Sequence, residues 1–295
     1  MSRRKKVAYL GPGKDSFGFQ ALTSYFSGWK IHPIESKSHL DICQKVGQMQ
    51  VDFGIVAVEN VIDGVVSETV RSVERIDAQY GLKICGEEVV PIDMRLIAQI
   101  GVAIEDIKSI ASHQVGINQC SNLVERLCKK YGIEFRIVDS TSKAAMVASE
   151  SDGSVAALAS FRALKSYGNL YDFGGENMVD HKSSKTRFWV RKKQGRFMSG
   201  KHFRTCFLSN FEHDAIGAIH KTLGLFARKG ISVLLIHPSP IYGKEWEYTF
   251  MIEVEGYISD SKMRNVWNEF CALGISLQPL RFLGSYESKT SPRGE

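Results

Sequence analysis

Short apolar runs alternate with amphipathic stretches along the first two-thirds of the chain. Runs such as Val7–Leu10 and Phe53–Val58 (FGIVAV) are typical of buried β-strands, whereas Ser67–Tyr80 and a segment of about Val115–Tyr131 have the periodicity of helices. This alternation predicts a mostly parallel α/β architecture, and the number of units favours two lobes around a cleft over one large sheet. The remaining strands of this region are predicted at Ile84–Val90, Arg95–Ile100, Ser109–Ser112, Phe135–Val138, Val155–Ala159 and Arg187–Val190.

A polar, basic, glycine-containing segment that starts at Arg191 separates this region from a different pattern. The order beyond it is strand, helix, strand, strand, helix, strand, which predicts a ferredoxin-like βαββαβ unit. A small unit after a larger domain suggests a regulatory or assembly module. We therefore divide the chain into a larger domain (1–192), a linker (193–203), a smaller domain (204–287) and a disordered tail (288–295). The elements of the smaller domain are predicted at Thr205–Phe211, Ala215–Lys229, Ser232–His237, Tyr248–Glu255, Asp260–Leu273 and Ser276–Gly284.

Composition narrows the class of protein. Hydrophobic residues make up 43% and charged residues 24% of the 295 residues, which is typical of a soluble globular protein. Lysine and arginine exceed the acidic residues by only six (38 against 32), without a basic stripe or zinc-finger spacing, so we expect no nucleic-acid partner.

The apolar run after the basic start is too short for a secretory signal, and no run reaches the roughly 20 residues of a membrane span. We expect a cytoplasmic protein without membrane attachment.

The cysteines and histidines give no sign of a metal centre. The six cysteines are scattered without a CxxC pair, and the eight histidines show no ligand spacing. We expect the cysteines to be reduced core residues, and we expect neither a metal nor a cofactor.

A glycine turn at Gly11-Pro12-Gly13 follows the first strand and opens a helix near Ser16–Tyr25. Free backbone N–H groups at such a helix start bind anions. The turn completes neither GxGxxG nor a P-loop, so a carboxylate is a better candidate ligand than a dinucleotide, and an ordinary βα turn is the alternative.

Polar residues follow several other predicted strands. Asn60, His113, Ser140 and Thr141 each lie directly after one of them, and Thr186 opens the last strand of the larger domain. Ligands of open α/β sheets collect at strand carboxyl ends, although each of these side chains could instead cap a helix or pair within the structure. Together they predict hydroxyl and amide donors around a cleft. A Ser-His-Asp order and a GxSxG elbow are both missing.

In this order, the motifs resemble those of prephenate dehydratase, and the smaller domain resembles the ACT domain that accompanies that enzyme. The resemblance covers about residues 6–286. Its main motifs are Ala8-Tyr9-Leu10-Gly11-Pro12, Val58-Glu59-Asn60, Glu68-Thr69, Pro91-Ile92, Ser112-His113, Gln119-Cys120, Ser140-Thr141, Tyr167-Gly168, Glu176-Asn177 and Thr186-Arg187-Phe188, followed by Gly217-Ala218-Ile219, Gly230-Ile231 and Leu283-Gly284-Ser285-Tyr286.

This resemblance implies a periplasmic-binding-protein-like catalytic domain that converts prephenate, a small dicarboxylate, to phenylpyruvate with loss of carbon dioxide and water. The chemistry needs hydrogen-bond donors for two carboxylates and one for the departing ring hydroxyl. The family assigns the last role to the threonine that is here Thr186, which we expect to polarise the departing oxygen. The substrate-binding residues implied are Ser16, Asn60, Ser112, His113, Gln119, Ser140, Thr141, Arg187 and Phe188.

Several positions depart from the family pattern. Gly18 and Phe19 replace a serine and a histidine, Val61 replaces a serine, Met94 replaces a histidine and Gln114 replaces a proline. These changes remove polar groups around Thr186, so the alternatives are an arogenate dehydratase, a prephenate decarboxylase, or a binding protein that senses an amino acid without catalysis.

The resemblance also implies an assembly and an effector. In such proteins the ACT domains and the catalytic domains associate, so we expect a homodimer or homotetramer with two-fold symmetry. Their ACT domains usually bind phenylalanine through two motifs. The first survives as Gly217-Ala218-Ile219, but the second reads His237-Pro238-Ser239-Pro240 and lacks both charged residues. We therefore expect phenylalanine to act weakly or not at all, unless neighbours such as Asn210 compensate.

Overall fold

Three β-sheets make up the framework of the computed structural model, which describes residues 3–193, 202–211, 216–272 and 281–289. The strands are β1 (Lys5–Leu10), β2 (Ile31–Ser36), β3 (Phe53–Asn60), β4 (Gly64–Val65), β5 (Lys83–Pro91), β6 (Met94–Gln99), β7 (Ser109–Ser112), β8 (Glu134–Ile137), β9 (Val155–Ser160), β10 (Leu170–Asp172), β11 (Lys185–Lys192), β12 (Phe203–Asn210), β13 (Val233–Pro240), β14 (Tyr248–Glu255) and β15 (Arg281–Glu287). The helices are α1 (Phe17–Tyr25), α2 (His39–Gly47), α3 (Ser67–Tyr80), α4 (Gln114–Gln119), α5 (Ser121–Tyr131), α6 (Thr141–Glu150), α7 (Ala163–Ser166), α8 (Ala218–Arg228) and α9 (Ser261–Ala272).

The first two sheets form two lobes. The first lobe has the strand order β2-β1-β3-β11-β5, with β4 paired to β3, and the second has the order β10-β6-β9-β7-β8. Apolar side chains fill both faces of the central strands, as the runs Val7–Leu10 and Phe53–Val58 predict.

The expectation of a mostly parallel architecture is wrong. β1 is parallel to β2 and β3, and β7 is parallel to β8 and β9, but β11 is antiparallel to β3 and to β5. The connection between the lobes explains this reversal. The chain leaves the first lobe through β5 and returns to it through β11, and these neighbouring strands therefore run in opposite directions.

Two further expectations needed correction. The single helix predicted over Val115–Tyr131 is two helices, α4 and α5, because the backbone leaves helical geometry at Cys120 (φ −119°, ψ 33°). The unit of β2 and α2 was not predicted, since β2 is a half-exposed edge strand without clear alternation of apolar and polar residues. The bounds predicted for the helix Ser67–Tyr80 are confirmed.

The third sheet belongs to the C-terminal part of the chain and has the order β13-β14-β12-β15. All its pairings are antiparallel, and α8 and α9 cover one face through a core that includes Phe207, Phe226 and Phe270. These elements follow the predicted βαββαβ order. The end of the predicted last helix at 273, residues 276–280 of the predicted last strand, 194–201 of the predicted linker and 290–295 of the predicted tail lie outside the described residues.

The other face of the third sheet packs against the first lobe. Leu208, Met251 and Tyr286 share one buried cluster with Val73 of α3 and Trp189 of β11. The C-terminal unit is thus packed directly behind the strand that carries Thr186.

All six cysteines are free thiols. Cys43, Cys120 and Cys206 are buried, but Cys128 and Cys271 are exposed, so the expectation that the cysteines are core residues is wrong for these two. Every helix in the described part of the chain is too short or too polar to cross a membrane.

A buried ion pair attaches β11 to α3. Arg191 is completely buried, and its guanidinium donates to both carboxylate oxygens of Asp77.

We predict that Asp77→Asn lowers the free energy of unfolding by about 3–5 kcal/mol, because it leaves a buried cation without its counterion. Urea unfolding measures this loss. Glu125→Gln, which removes an exposed ion pair with Lys129, is the matched control and should change stability little. An equal effect of the two substitutions would contradict the prediction.

Candidate active site

A cavity of about 400 Å³ lies between the two lobes. Its walls come from the segments that follow β1, β3, β7 and β8, from the start of α2 and from β11. Eight of the predicted site residues line it: Ser16, Asn60, His113, Gln119, Ser140, Thr141, Thr186 and Phe188.

Helix N-termini point three sets of backbone N–H groups towards this cleft region. Ser16 caps α1 by accepting from Phe19 N at 3.1 Å, and Ser140 caps α6 by accepting from Lys143 N at 3.0 Å. His113 caps the short helix α4, with its Nδ1 accepting from Val115 N at 3.3 Å. The free N–H groups and the positive end of the helix dipole favour an anion at such positions. The arrangement is suited to carboxylates.

A hydrogen bond between strands β3 and β11 sets the orientation of Thr186. The two strands pair Thr186 with Asn60, and the Asn60 Nδ2 donates to the Thr186 Oγ1 at 2.9 Å. The Asn60 Oδ1 accepts from the backbone N–H groups of Ile62 at 2.8 Å and Asp63 at 3.1 Å. Because its oxygen is occupied in this way, the amide must present its NH₂ to Thr186. The Thr186 oxygen therefore acts as acceptor, and its own proton is available for a molecule in the cavity.

A second hydrogen bond crosses the cleft. Gln119, from the second lobe, donates through Nε2 to the Asp63 Oδ2 of the first lobe at 2.6 Å. Both residues line the cavity. The bond ties the two lobes together beside Asn60.

Two predicted substrate-binding residues do not line the cavity. Ser112 is completely buried and donates to the carbonyl oxygen of Leu158 at 2.9 Å, so its hydroxyl holds two strands of the second sheet together. Arg187 faces away from the cleft, because successive residues of a strand point to opposite sides of the sheet. Thr186 and Phe188 face the cavity, and Arg187 between them faces the C-terminal unit. We correct both assignments accordingly.

The Arg187 guanidinium is the centre of a buried polar cluster. It donates to Glu59 Oε2 at 2.9 Å, Glu87 Oε2 at 3.3 Å, Glu253 Oε1 at 2.9 Å and the Tyr286 hydroxyl at 3.2 Å. Burial alone would raise the pKa of the Glu253 carboxyl, but the charges of Arg187 and Arg204 lower it below its ordinary value. The cluster therefore joins the C-terminal unit to the strand pair that carries Asn60 and Thr186.

Sequence reasoning missed several residues of the cavity wall. His39 was missed because α2 was not predicted, and Asp63 because it lies in a turn after β3. Met94 also lines the cavity, whereas Val61 is 64% exposed and is not part of the wall.

Asp15 is buried behind the first turn, and burial raises its pKa. Among the described residues, no three histidine, cysteine or acidic side chains are grouped so as to hold a metal ion.

Comparison with known proteins identifies the family. The family model of prephenate dehydratase matches residues 7–196. The chain is also 30% identical over 286 residues to the bifunctional chorismate mutase/prephenate dehydratase of Aquifex aeolicus, covering 97% of this chain and 74% of that protein. The chain belongs to the prephenate dehydratase family.

Solved structures share the complete fold at lower identity. A prephenate dehydratase of Arthrobacter aurescens in complex with L-Phe superimposes with a TM-score of 0.84 at 24% identity, covering 96% of this chain and 90% of that one. A protein described as GqqA, a novel type of quorum quenching acylase, superimposes with a TM-score of 0.80 at 22% identity, covering 97% and 98%. These structures establish the fold, and the family follows from the sequence match.

The position of Arg187 predicts a structural phenotype. We expect Arg187→Gln to lower the free energy of unfolding by about 3–5 kcal/mol, because Glu87 loses its buried counterion and Glu253 keeps only Arg204. Urea unfolding measures the change. Unaltered stability combined with a raised KM for substrate would instead return Arg187 to the role of a substrate ligand.

Proposed function

We propose that this protein is a prephenate dehydratase that converts prephenate to phenylpyruvate, carbon dioxide and water, with Thr186 as the catalytic residue. The observation that carries this proposal is the bond from Asn60 to Thr186. It holds a hydroxyl donor at the wall of the interlobe cavity in a chain that belongs to the prephenate dehydratase family.

The reaction requires few protein groups. The bond between the ring and its carboxylate breaks and releases carbon dioxide, and its electron pair moves into the ring. The ring becomes aromatic as the bond to the hydroxyl oxygen breaks, and that oxygen leaves as water after it gains a proton. A hydrogen bond from Thr186 stabilises the charge that develops on the departing oxygen, and a donor positioned in this way contributes about 10²–10⁴-fold to a rate.

The two carboxylates of the substrate require donors as well. Ser16 and Ser140–Thr141 lie at the N-termini of α1 and α6, where unpaired N–H groups and the helix dipole favour negative charge. We assign substrate binding to these segments together with Asn60, His113, Gln119 and Phe188, all of which line the cavity.

Because this chain lacks several polar side chains of the family pattern, two other reactions remain as alternatives. Met94 gives the cavity wall a thioether where the family pattern has a histidine, which is compatible with arogenate as substrate or with a decarboxylase that retains the hydroxyl. The bond between Asn60 and Thr186 supports dehydration, because a decarboxylase needs no donor for a departing hydroxyl. A binding protein without catalysis is distinguished by the turnover assay below.

We assign residues 204–287 to an ACT domain, on the basis of their βαββαβ order and their position after the matched catalytic region. Gly217 precedes α8 with a left-handed backbone (φ +74°), which a glycine adopts readily. The Asn210 amide oxygen accepts from the Thr249 hydroxyl at 2.7 Å. Pro238 and Pro240 lie in β13 and offer no backbone donor. These features support a weak effect of phenylalanine.

Exposed apolar residues of the C-terminal unit support a homodimer or homotetramer. Ile216 is 92% exposed, Tyr242 88% and Trp246 75%. Side chains of this size are enriched in subunit interfaces, and two-fold assemblies are the commonest in soluble proteins. We propose that a second copy of the chain covers them.

The central prediction concerns Thr186. Thr186→Val removes the hydroxyl while retaining the side-chain volume, and we expect kcat with prephenate to fall by about 10²–10⁴-fold. Thr186→Ser retains the donor and should keep much of the rate. Steady-state kinetics that follow phenylpyruvate measure both variants.

The wild-type assay distinguishes the candidate reactions through their products. Phenylpyruvate formed from prephenate supports the proposal, phenylalanine formed from arogenate alone supports an arogenate dehydratase, and a product that retains the ring hydroxyl identifies a decarboxylase. Wild-type protein that forms none of these products would overturn the proposal, as would a Thr186→Val variant with the wild-type rate.

Calorimetric titration tests the effector. Each lost pairing of a buried charged or polar group costs about 1–3 kcal/mol, which corresponds to roughly 10- to 100-fold in affinity. We therefore expect no saturable binding of phenylalanine at micromolar concentrations. Micromolar binding would show that residues such as Asn210 replace the missing charged pair.

A further inference from the structure

One imidazole of the cavity has a buried nitrogen without a hydrogen-bond partner in the part of the chain that the structure describes. His39 is the first residue of α2, is only 4% exposed and lines the cavity together with Asn60 and Thr186. Its Nδ1 is buried without a hydrogen-bond partner among the described residues. The hydrogen bond of this residue that the structure does show is made by the backbone, from His39 N to Glu68 Oε1 at 3.1 Å. A buried polar group without a partner is rare in folded proteins, and it points to a ligand.

The second histidine of the cavity is in a different situation. The Nδ1 of His113 accepts the capping bond from Val115 N, so this nitrogen is occupied by the fold. Of the two imidazoles, His39 is the one whose Nδ1 has no partner in the described structure, whereas protonation of His113 at Nδ1 would break its capping bond.

The cavity offers a dianion few cationic groups. Lysine and arginine are absent from the described residues that line it, and the acidic residues Asp63 and Asp139 are present. The helix N-termini supply partial charges. A full positive charge from the lining side chains has to come from a histidine.

We propose that His39 binds the side-chain carboxylate of the substrate as an imidazolium and takes up a proton when the substrate enters. This inference rests on the proposed function. The side-chain carboxylate is favoured over the ring carboxylate by the chemistry. The ring carboxylate loses its charge as carbon dioxide forms, and a cation paired with it would stabilise the ground state more than the transition state. The side-chain carboxylate keeps its charge throughout and remains in the product.

The surroundings of His39 keep it neutral in the empty site. Burial lowers the pKa of the imidazole, and the negative charge of Glu68 on α3 opposes that shift. Among the other charged groups near α2, Asp41 pairs with Lys45, Asp77 pairs with Arg191, Glu35 accepts from the Tyr9 hydroxyl and the Gly13 N–H, and Lys193 donates to the carbonyl oxygen of Gly47. Asp63 lines the cavity from the same lobe as His39, and Asp139 and His113 line it from across the cleft. A carboxylate that enters beside the ring favours its charged form, and binding is then linked to protonation.

Proton linkage gives a measurable signature. Between the pKa of the free imidazole and the higher pKa of the imidazole in the complex, the apparent dissociation constant should rise about tenfold for each pH unit, because binding consumes one proton. The probe is phenylpyruvate, which retains the side-chain carboxylate and does not react further. Calorimetric titration of the full chain in buffers of different ionisation enthalpy counts the protons taken up. We expect close to one proton per phenylpyruvate bound at pH 8.

Two variants and one control make the test specific. His39→Gln and His39→Phe should abolish proton uptake and flatten the pH dependence of kcat/KM for prephenate, while kcat at saturation falls less than kcat/KM. His32→Gln removes an exposed histidine of β2 and should retain wild-type uptake. Thermal unfolding of each variant establishes that it is folded.

The outcomes separate the two proposals. Turnover of prephenate together with phenylpyruvate binding that takes up no proton, or with uptake that persists in the His39 variants, would overturn this inference alone. Wild-type protein that neither turns over prephenate nor binds phenylpyruvate would overturn the proposed function and this inference with it.

Discussion

The register between β3 and β11 is the constraint on which the site depends. On the cleft side it places Asn60 opposite Thr186, and on the other side it places Glu59 opposite Arg187. A one-residue slip would reverse both faces, turning the hydroxyl inwards and the guanidinium into the cleft. The buried cluster of Arg187 with Glu87, Glu253 and Tyr286 opposes such a slip, because in the shifted register both carboxylates would lose the Arg187 guanidinium and Glu253 would keep only Arg204. The polar cluster and the hydroxyl donor are therefore two consequences of the same strand pairing.

The electrostatics of the cleft differ from those of a site built on arginine or lysine. Backbone N–H groups at helix starts supply most of the positive potential, and the cavity wall is otherwise largely apolar. In such surroundings each hydrogen bond is stronger than in water, and each unpaired polar group is costly. The bonds that fix the Asn60 amide and the bond from Gln119 to Asp63 keep the donors in place before a ligand arrives. This preorganisation suits a reaction that the substrate drives by becoming aromatic.

The sequence predicts most strands and the residues at their ends, but it does not predict strand direction or the face of the sheet on which each side chain lies. Buried runs such as FGIVAV and the residues that follow them lead to Asn60 and Ser140, because the carboxyl ends of parallel strands gather at one edge of a sheet. Thr186 was found through its motif at the start of the last strand of the larger domain. Arg187 was misassigned to the substrate site because it is next to Thr186 in the sequence motif. In a β-strand, successive side chains point to opposite faces of the sheet, so Arg187 cannot share the cleft face with Thr186. His39 could not be found without α2, whose preceding edge strand has no clear alternation. The antiparallel return of β11 depends on how the chain crosses between the lobes, which local periodicity does not encode.

The most direct measurement exploits the direction of the bond between Asn60 and Thr186. Asn60→Asp keeps the size of the side chain and an oxygen for the N–H groups of Ile62 and Asp63, but it replaces the donor that faces Thr186 with an acceptor. The hydroxyl should then donate to the new carboxylate and no longer to the departing oxygen. Single-turnover kinetics with prephenate should show a rate lowered by about 10²–10⁴-fold, as for removal of the hydroxyl itself. A rate close to that of the wild type would contradict the account of how this site acts.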